Sequence, residues 1–418
     1  MINLTHQKEQ PPTTFLVYYQ GFIAVAAVII FFTRLDIYLQ EHTPMIPLYW
    51  MFLFLVASLP LLASLPGKLN SISMSILVWC GGYIAITLIS ILIQPRIPDL
   101  QYLENQYRTI IFFLLMIGIF SHHPLVSKWV KLAVLSVTFS NVCMYVYEFF
   151  NPAAFYLEQR SPGRSSGFYD DSNTASIALI VGLIFTIDMF KPKYRLFYAL
   201  FVFMGIATTF SRGSTVGWFL VVGLLIGGKV IPRYQIPLLS LFFAILFTIL
   251  VANLNNLQYL KTADGTNLFQ KDTLARVEFL VDPFAQKDSS QASRLSFVND
   301  AWKKFAESPF IGKGLASGQN KSTLSLTGKA ERSHNIYLDL MVEYGFLGAF
   351  IYPSLLMASV WKAQGEFKKQ ALVFAVFMLS QGIFSHTLLN DFCSLVIYPI
   401  AANLNKQSYF KSQLDLSN

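Results

Sequence analysis

The sequence predicts an all-α protein that crosses a membrane about twelve times. Three observations lead there. Of the 418 residues, 54% are hydrophobic and only 13% are charged, against roughly 25% charge in an average soluble domain. Apolar runs long enough to span a bilayer recur from one end of the chain to the other. Those runs are continuous, whereas the strands of a membrane barrel alternate apolar with polar residues.

Taken in order, residues 1–12 are polar and the first apolar run ends at Arg34, which reads as an uncleaved first span and not a signal peptide. Spans are expected near 14–33, 45–64, 72–94, 108–121, 129–149, 174–190, 196–210, 214–228, 235–253, 342–361, 370–388 and 392–404. The fourth and the last are short enough to lie at the interface. No internal repeat of fixed period is visible. Cys80, Cys143 and Cys393 all fall in apolar segments, odd in number and without metal-ligand spacing, so they read as core or lipid-facing residues.

Charge sets the orientation. With a cytoplasmic N-terminus, the inner segments hold fourteen basic residues, mostly lysine, and the short outer segments hold six, all arginine: Arg34, Arg96, Arg108, Arg160, Arg164 and Arg212. That satisfies the positive-inside rule. Outer arginines oppose the orientation signal, and their planar forks suit phosphate or carboxylate. Arg34 and Arg96 read as simple interfacial snorkelling.

Three stretches between the spans carry chemistry. The loop 151–173 is rich in turn residues, places Arg160 and Arg164 four apart, and offers Ser172 or Asn173 as a cap for the next span. Ser211-Arg212-Gly213 makes a tight turn between two spans. Residues 254–334 are too long for a simple connector. Within them Leu295, Val298, Trp302 and Phe305 predict an amphipathic helix over 291–308 with Arg294 at its start. A shorter helical pattern over 272–281 includes Arg276. The chain therefore divides into 1–253, spans one to nine; 254–334, a folded helical cap; and 335–418, the last three spans and a tail. At the cap's end lies Glu331-Arg-Ser-His334-Asn335, in which Ser333 and Asn335 are both plausible N-caps. His334 thus sits at a helix start, where N–H groups and the dipole favour an anion.

Four motifs in order resemble the O-antigen ligase and polymerase superfamily of bacterial inner-membrane glycosyltransferases. They are Arg164-Ser-Ser-Gly-Phe-Tyr-Asp-Asp-Ser-Asn173, Phe210-Ser-Arg-Gly213, Ser293-Arg-Leu with Trp302 and Ser308-Pro-Phe-Ile-Gly-Lys-Gly314, and His334-Asn335 followed by Gly345 and Gly348. The last is similar to the ligase pattern, except that Ala349 stands where ligases sometimes have Thr. The resemblance implies a helical GT-C-like fold in the inner membrane with its active site on the periplasmic face. It implies inverting, metal-independent transfer of a glycan from undecaprenyl pyrophosphate, with no cofactor, membrane lipids as surroundings and no nucleic-acid partner. A ligase passes the glycan to lipid A–core; a polymerase passes it to another lipid-linked repeat unit.

The residues suit that chemistry. A sugar hydroxyl is a poor nucleophile and benefits from a positioned base, for which His334 titrates in the right range. The leaving pyrophosphate needs cations, which Arg160, Arg164, Arg212, Arg276 and Arg294 supply. Asn335, His386 and Asp391 read as supporting residues around His334. Asp170-Asp171 is adjacent instead of spaced and reads as a turn former. A twelve-span transporter is the reading from another class, but it calls for two similar halves with broken helices at midplane, and no such halves are visible.

Overall fold

Apart from one isolated bridge between Lys261 and Asn267, the described residues carry helices and turns only. The computed structural model describes residues 14–63, 74–93, 100–121, 123–152, 154–156, 163–261, 265, 267–269, 273–277, 289–318, 332–361, 363 and 367–416. The helices are α1 (Thr14–Ala27), α2 (Leu35–His42), α3 (Pro47–Ala63), α4 (Met74–Ile93), α5 (Leu100–Ile119), α6 (Pro124–Phe150), α7 (Ser172–Thr186) and α8 (Arg195–Thr208). They continue with α9 (Arg212–Gly227), α10 (Ile236–Asn253), α11 (Ser289–Glu307), α12 (Ile336–Tyr344), α13 (Gly348–Val360), α14 (Phe367–Gly382) and α15 (Phe392–Leu416).

Each expected span overlaps at least one helix among the described residues. Among the described residues, six helices are long and apolar enough to cross a membrane: Phe15–Phe32, Met74–Ile93, Pro124–Phe150, Ser172–Met189, Arg233–Asn253 and Ile336–Val360. Pro47–Leu61, Arg212–Gly227 and Phe392–Leu404 are apolar but shorter. The chain is a helical membrane protein. Two boundaries differ from expectation. The tenth segment begins at Ile336 and is broken by a 3-10 turn at Gly345–Leu347. The eleventh stops at Gly382, and 383–391 form a loop.

The apolar character of each helix is matched to its place. α7 is apolar on all sides and is enclosed on all sides, with 83% of its span buried. It packs on α6, α8 and α9. α10, equally apolar, is only 6% buried and presents its faces outward, as a lipid-facing helix would. One continuous apolar core runs through the bundle. A small second cluster, Ala301 with Leu338 and Val342 and the flanking Phe305, fastens α11 onto α12. Of the expected stripe only Phe305 joins this contact; Leu295, Val298 and Trp302 are exposed.

α6 shows how the two ends of the bundle differ. Near its start, Lys131 pairs with Asp188 at 2.5 Å. At its end, the Glu148 carboxylate accepts from the backbone N–H groups of Ser166 and Gly167 at 2.7 and 2.6 Å. That second contact holds the 163–170 turn against the bundle. The turns carrying the arginine motifs gather at this same end.

Candidate active site

Several helix starts meet here, and each is fixed by a side-chain cap. Asp171, and not Ser172 or Asn173, caps α7: its carboxylate accepts from Thr174 N at 3.1 Å. Ser211 caps α9 by accepting from Ser214 N. Asn335 caps α12 by accepting from Leu338 N at 3.1 Å. Asp391 accepts from Ser394 N at the start of α15. Asn173 is left free for another task. Its amide oxygen accepts from Ser211 Oγ at 2.9 Å and from the Arg164 guanidinium at 3.0 Å. This ties the α7 and α9 starts together.

Between these starts lies a cavity of about 590 Å³. Arg212, Arg294 and His334 line it, together with the caps Asp171 and Ser211 and the loop residues Ser385, His386 and Thr387. Ile177, Val216 and Phe384 give it an apolar flank. Three carboxylates also border it. Asp171 is engaged as a cap, Asp391 pairs with Arg34, and Asp170 is exposed. The positive ends of the helix dipoles add to the two arginines and favour an anion in the cavity.

Arg164 and Arg276 do not line the cavity; they brace its wall. Arg164 Nε donates to Thr209 O at 2.7 Å and Arg276 donates to Phe210 O at 3.2 Å. Thr273 Oγ1 donates to Gly163 O at 3.0 Å, holding the helical stretch 273–277 over the same turn. The arginines are close enough to feel one another: burial, followed by repulsion from Arg276, pushes Arg164 down to about 10, with Arg294 and Arg212 contributing. Arg160 lies outside the described residues.

His334 is held in left-handed backbone conformation, φ +55°, which costs a non-glycine residue of order 1–3 kcal/mol and concentrates at functional sites. Ile336 N donates to Ser385 O at 3.1 Å, and this bond brings the 383–391 loop against the α12 start. The rings of His334 and His386 are consequently 4.8 Å apart, edge to face. Burial lowers the His334 pKa first, and the nearby Arg294 lowers it further, while Asp171 acts in the opposite direction. Burial, with His334 and Arg332 nearby, takes His386 down to about 3. Both imidazoles are therefore neutral at neutral pH.

Sequence reasoning missed Arg34. It is not a snorkelling side chain. It is 6% exposed, donates to Asp36 at 3.2 Å and pairs with Asp391. Arg332 was missed too; its guanidinium lies 5.4 Å from the Tyr102 ring centroid. Asp391, expected beside His334, is instead the counterion of Arg34 while still lining the cavity.

The spacing of the glycine motifs is explained by an interlock. Lys313 N and Gly314 N donate to Val342 O and Glu343 O at 2.7 and 3.2 Å, and Phe346 N donates to Pro309 O at 2.7 Å. A Cβ at Gly345, φ +68°, would stand 2.4 Å from Phe310 O; one at Gly312, φ +77°, would stand 2.5 Å from Glu343 O. Two motifs far apart in sequence thus form one joint below His334.

Residues 197–352 match the O-antigen ligase family. The matched region runs from α8 into α13 and takes in Arg212, Arg276, Arg294, His334, Asn335 and the glycine interlock. This agrees with the resemblance read from the motifs. Members of the O-antigen ligase family are membrane glycosyltransferase-like enzymes. Arg34, Arg164, His386 and Asp391 lie outside the matched region but reach the same site in space. No curated relative matches the chain.

Proposed function

We propose that the cavity is the active site of an O-antigen ligase, transferring a glycan from undecaprenyl pyrophosphate to lipid A–core. The observation that carries this is that His334 lines one cavity with Arg212 and Arg294, all three inside the region that matches the O-antigen ligase family. The chain would be a GT-C-like protein of about twelve inner-membrane spans, with residues 254–334 as a periplasmic loop. The apolar flank of Ile177, Val216 and Phe384 suits the start of the polyprenyl chain.

In this mechanism the donor's pyrophosphate sits at the helix starts with Arg212 and Arg294, braced by Arg164 and Arg276. His334 accepts the proton of the acceptor hydroxyl as that oxygen bonds to the anomeric carbon. The bond from that carbon to phosphate oxygen breaks, and its electron pair leaves on the pyrophosphate. One displacement inverts the anomeric centre. The arginines stabilise charge where it develops, without assistance from a metal. Transfer to another lipid-linked unit, the polymerase reaction, uses the same bonds and differs only in the acceptor.

The test is transfer by purified protein, with donor binding measured alongside. General-base catalysis contributes ~10²–10⁴-fold, so His334→Ala and His334→Gln should both lose that much turnover while binding donor normally. Because burial and Arg294 lower the His334 pKa, the base is unprotonated at neutral pH. Activity should therefore hold through neutrality and fall only below the usual histidine value of 6.5. Near-normal turnover by His334→Gln would show that His334 positions the acceptor without taking its proton.

A further inference from the structure

Beside the first cavity lies a second, of about 420 Å³, and His386, Thr387 and Asp391 line both. Its other walls include Tyr102, Gln106 and Thr109 of α5, Arg332, and the exposed Asn390. The two cavities differ in character. The first has an apolar flank and sits among helix starts. The second is lined mostly by hydroxyl, amide and guanidinium groups.

Its arginines are matched by carboxylates. Arg34 lies between Asp36 and Asp391. Arg332 lies over Tyr102, whose hydroxyl donates to Glu343 at 2.7 Å. Arg108 is 3.8 Å from Glu104. Such a lining is polar without a large excess of charge, which suits an uncharged polyhydroxyl group better than a second pyrophosphate.

Behind the open face of this wall, Gln106 is held by its own neighbours. Gln106 is 5% exposed. Its amide nitrogen donates to the hydroxyls of Tyr344 and Tyr83 at 3.2 and 3.4 Å, which fixes the amide. The hydroxyl, amide and guanidinium groups of the lining are the kinds that pair with sugar hydroxyls.

We infer that the second cavity holds the acceptor sugar, which reaches His334 past His386, a residue that lines both cavities. This rests on the glycan-transfer reading above. Donor and acceptor then enter by separate cavities and meet at the His334–His386 pair. His386 acts as a positioning residue at the shared wall.

Asn390 is exposed and lines only the second cavity; Val216 is exposed and lines only the first. Asn390→Trp and Val216→Trp can therefore narrow each cavity separately without filling a buried site. Kinetics would use a polyprenyl-pyrophosphate glycan as donor. Lipopolysaccharide stripped of its attached glycan and a second lipid-linked unit would serve in turn as acceptor. Asn390→Trp should raise the acceptor KM about tenfold or more while leaving the donor KM unchanged, and Val216→Trp should do the reverse, a split that misfolding does not produce. A photo-crosslinking residue at position 390 should capture acceptor and not donor, in an arm that needs no turnover. An unmoved acceptor KM in Asn390→Trp, or capture of donor at position 390, overturns the two-cavity assignment while the transfer reading stands. A wild-type protein that transfers glycan to neither acceptor overturns both.

Discussion

Arg212 and Arg34 carry the same guanidinium at the same end of the bundle, yet they do different work. Arg212 lines the cavity beside Arg294, where a bidentate fork can grip a phosphate and a point charge cannot. Arg212→Lys should lose much of the transfer activity in the purified-protein assay at unchanged protein level. Arg34 is buried between Asp36 and Asp391, so Arg34→Lys should lower thermal stability before it touches chemistry. A buried pair that loses one partner typically costs about 3–5 kcal/mol, and lysine, which retains the charge, should cost less. Transfer and donor KM unchanged in Arg212→Lys would refute the phosphate role of Arg212. The site was legible where a residue had a local signature: Arg212 in a Ser-Arg-Gly turn, Arg294 opening an amphipathic helix, His334 before a cap. Arg34, Arg332 and the Arg34–Asp391 pair were not, because a contact between opposite ends of a chain leaves no periodicity behind.

Among the elements, helices followed the apolar runs, and their ends obeyed subtler signals. The α7 cap went to Asp171 because Asn173 is drawn away by Arg164 and Ser211, a choice that only the folded neighbours decide. α14 was expected to continue to residue 388 because Ile383, Phe384, Leu388 and Leu389 prolong the apolar run. Its true end is marked by Gly382, where a Cβ would stand 2.8 Å from the Tyr337 ring, and a glycine near a helix end is a signal that could have found it. The joint at Gly312 and Gly345 supports its own prediction. Gly345→Ala would force a side chain into a left-handed conformation and against Phe310 O. It should cost at least ~1–2 kcal/mol from the backbone alone, and thermal melting in detergent would measure it. Gly223→Ala, where nothing lies within 4 Å of the added Cβ, is the control; equal melting of the two variants would remove the joint from the account of His334.

For the molecule as a whole, the separation of its two ends agrees with the charge asymmetry of the sequence. Lys131 and Asp188 meet near one end of α6, and the arginine turns gather near the other. With the arginine end periplasmic, a cysteine at the exposed Asn299 of α11 should react with an impermeant thiol reagent in intact spheroplasts. Cys143 is the one exposed native cysteine and would be replaced first, since Cys80 and Cys393 are buried. Reaction only after the membrane is opened would reverse the topology and take the proposed active site to the wrong face. Orientation is an expectation from composition that this labelling tests; the helices themselves were legible in the apolar runs. The pairing of two cavities across one wall was not, since it depends on how α5, α12 and the 383–391 loop pack together.

The clasp between Arg34 and Asp391 joins residues from distant parts of the chain, so it can form only after both have been made. Arg34 is made early and Asp391 near the end, so for most of translation the arginine at the head of the chain is without one of its two counterions. Asp36, two residues away, is available from the start and gives the nascent segment a neutral pair to carry through the membrane-insertion machinery. The second carboxylate arrives just before α15 and closes a ring in which the starts of α2 and α15 hold each other. A chain stopped before Asp391 would insert its early helices with Arg34 already paired, yet the wall shared by both cavities would still be open. The shared wall would stay incomplete until Asp391 has been made and the 383–391 loop is in place.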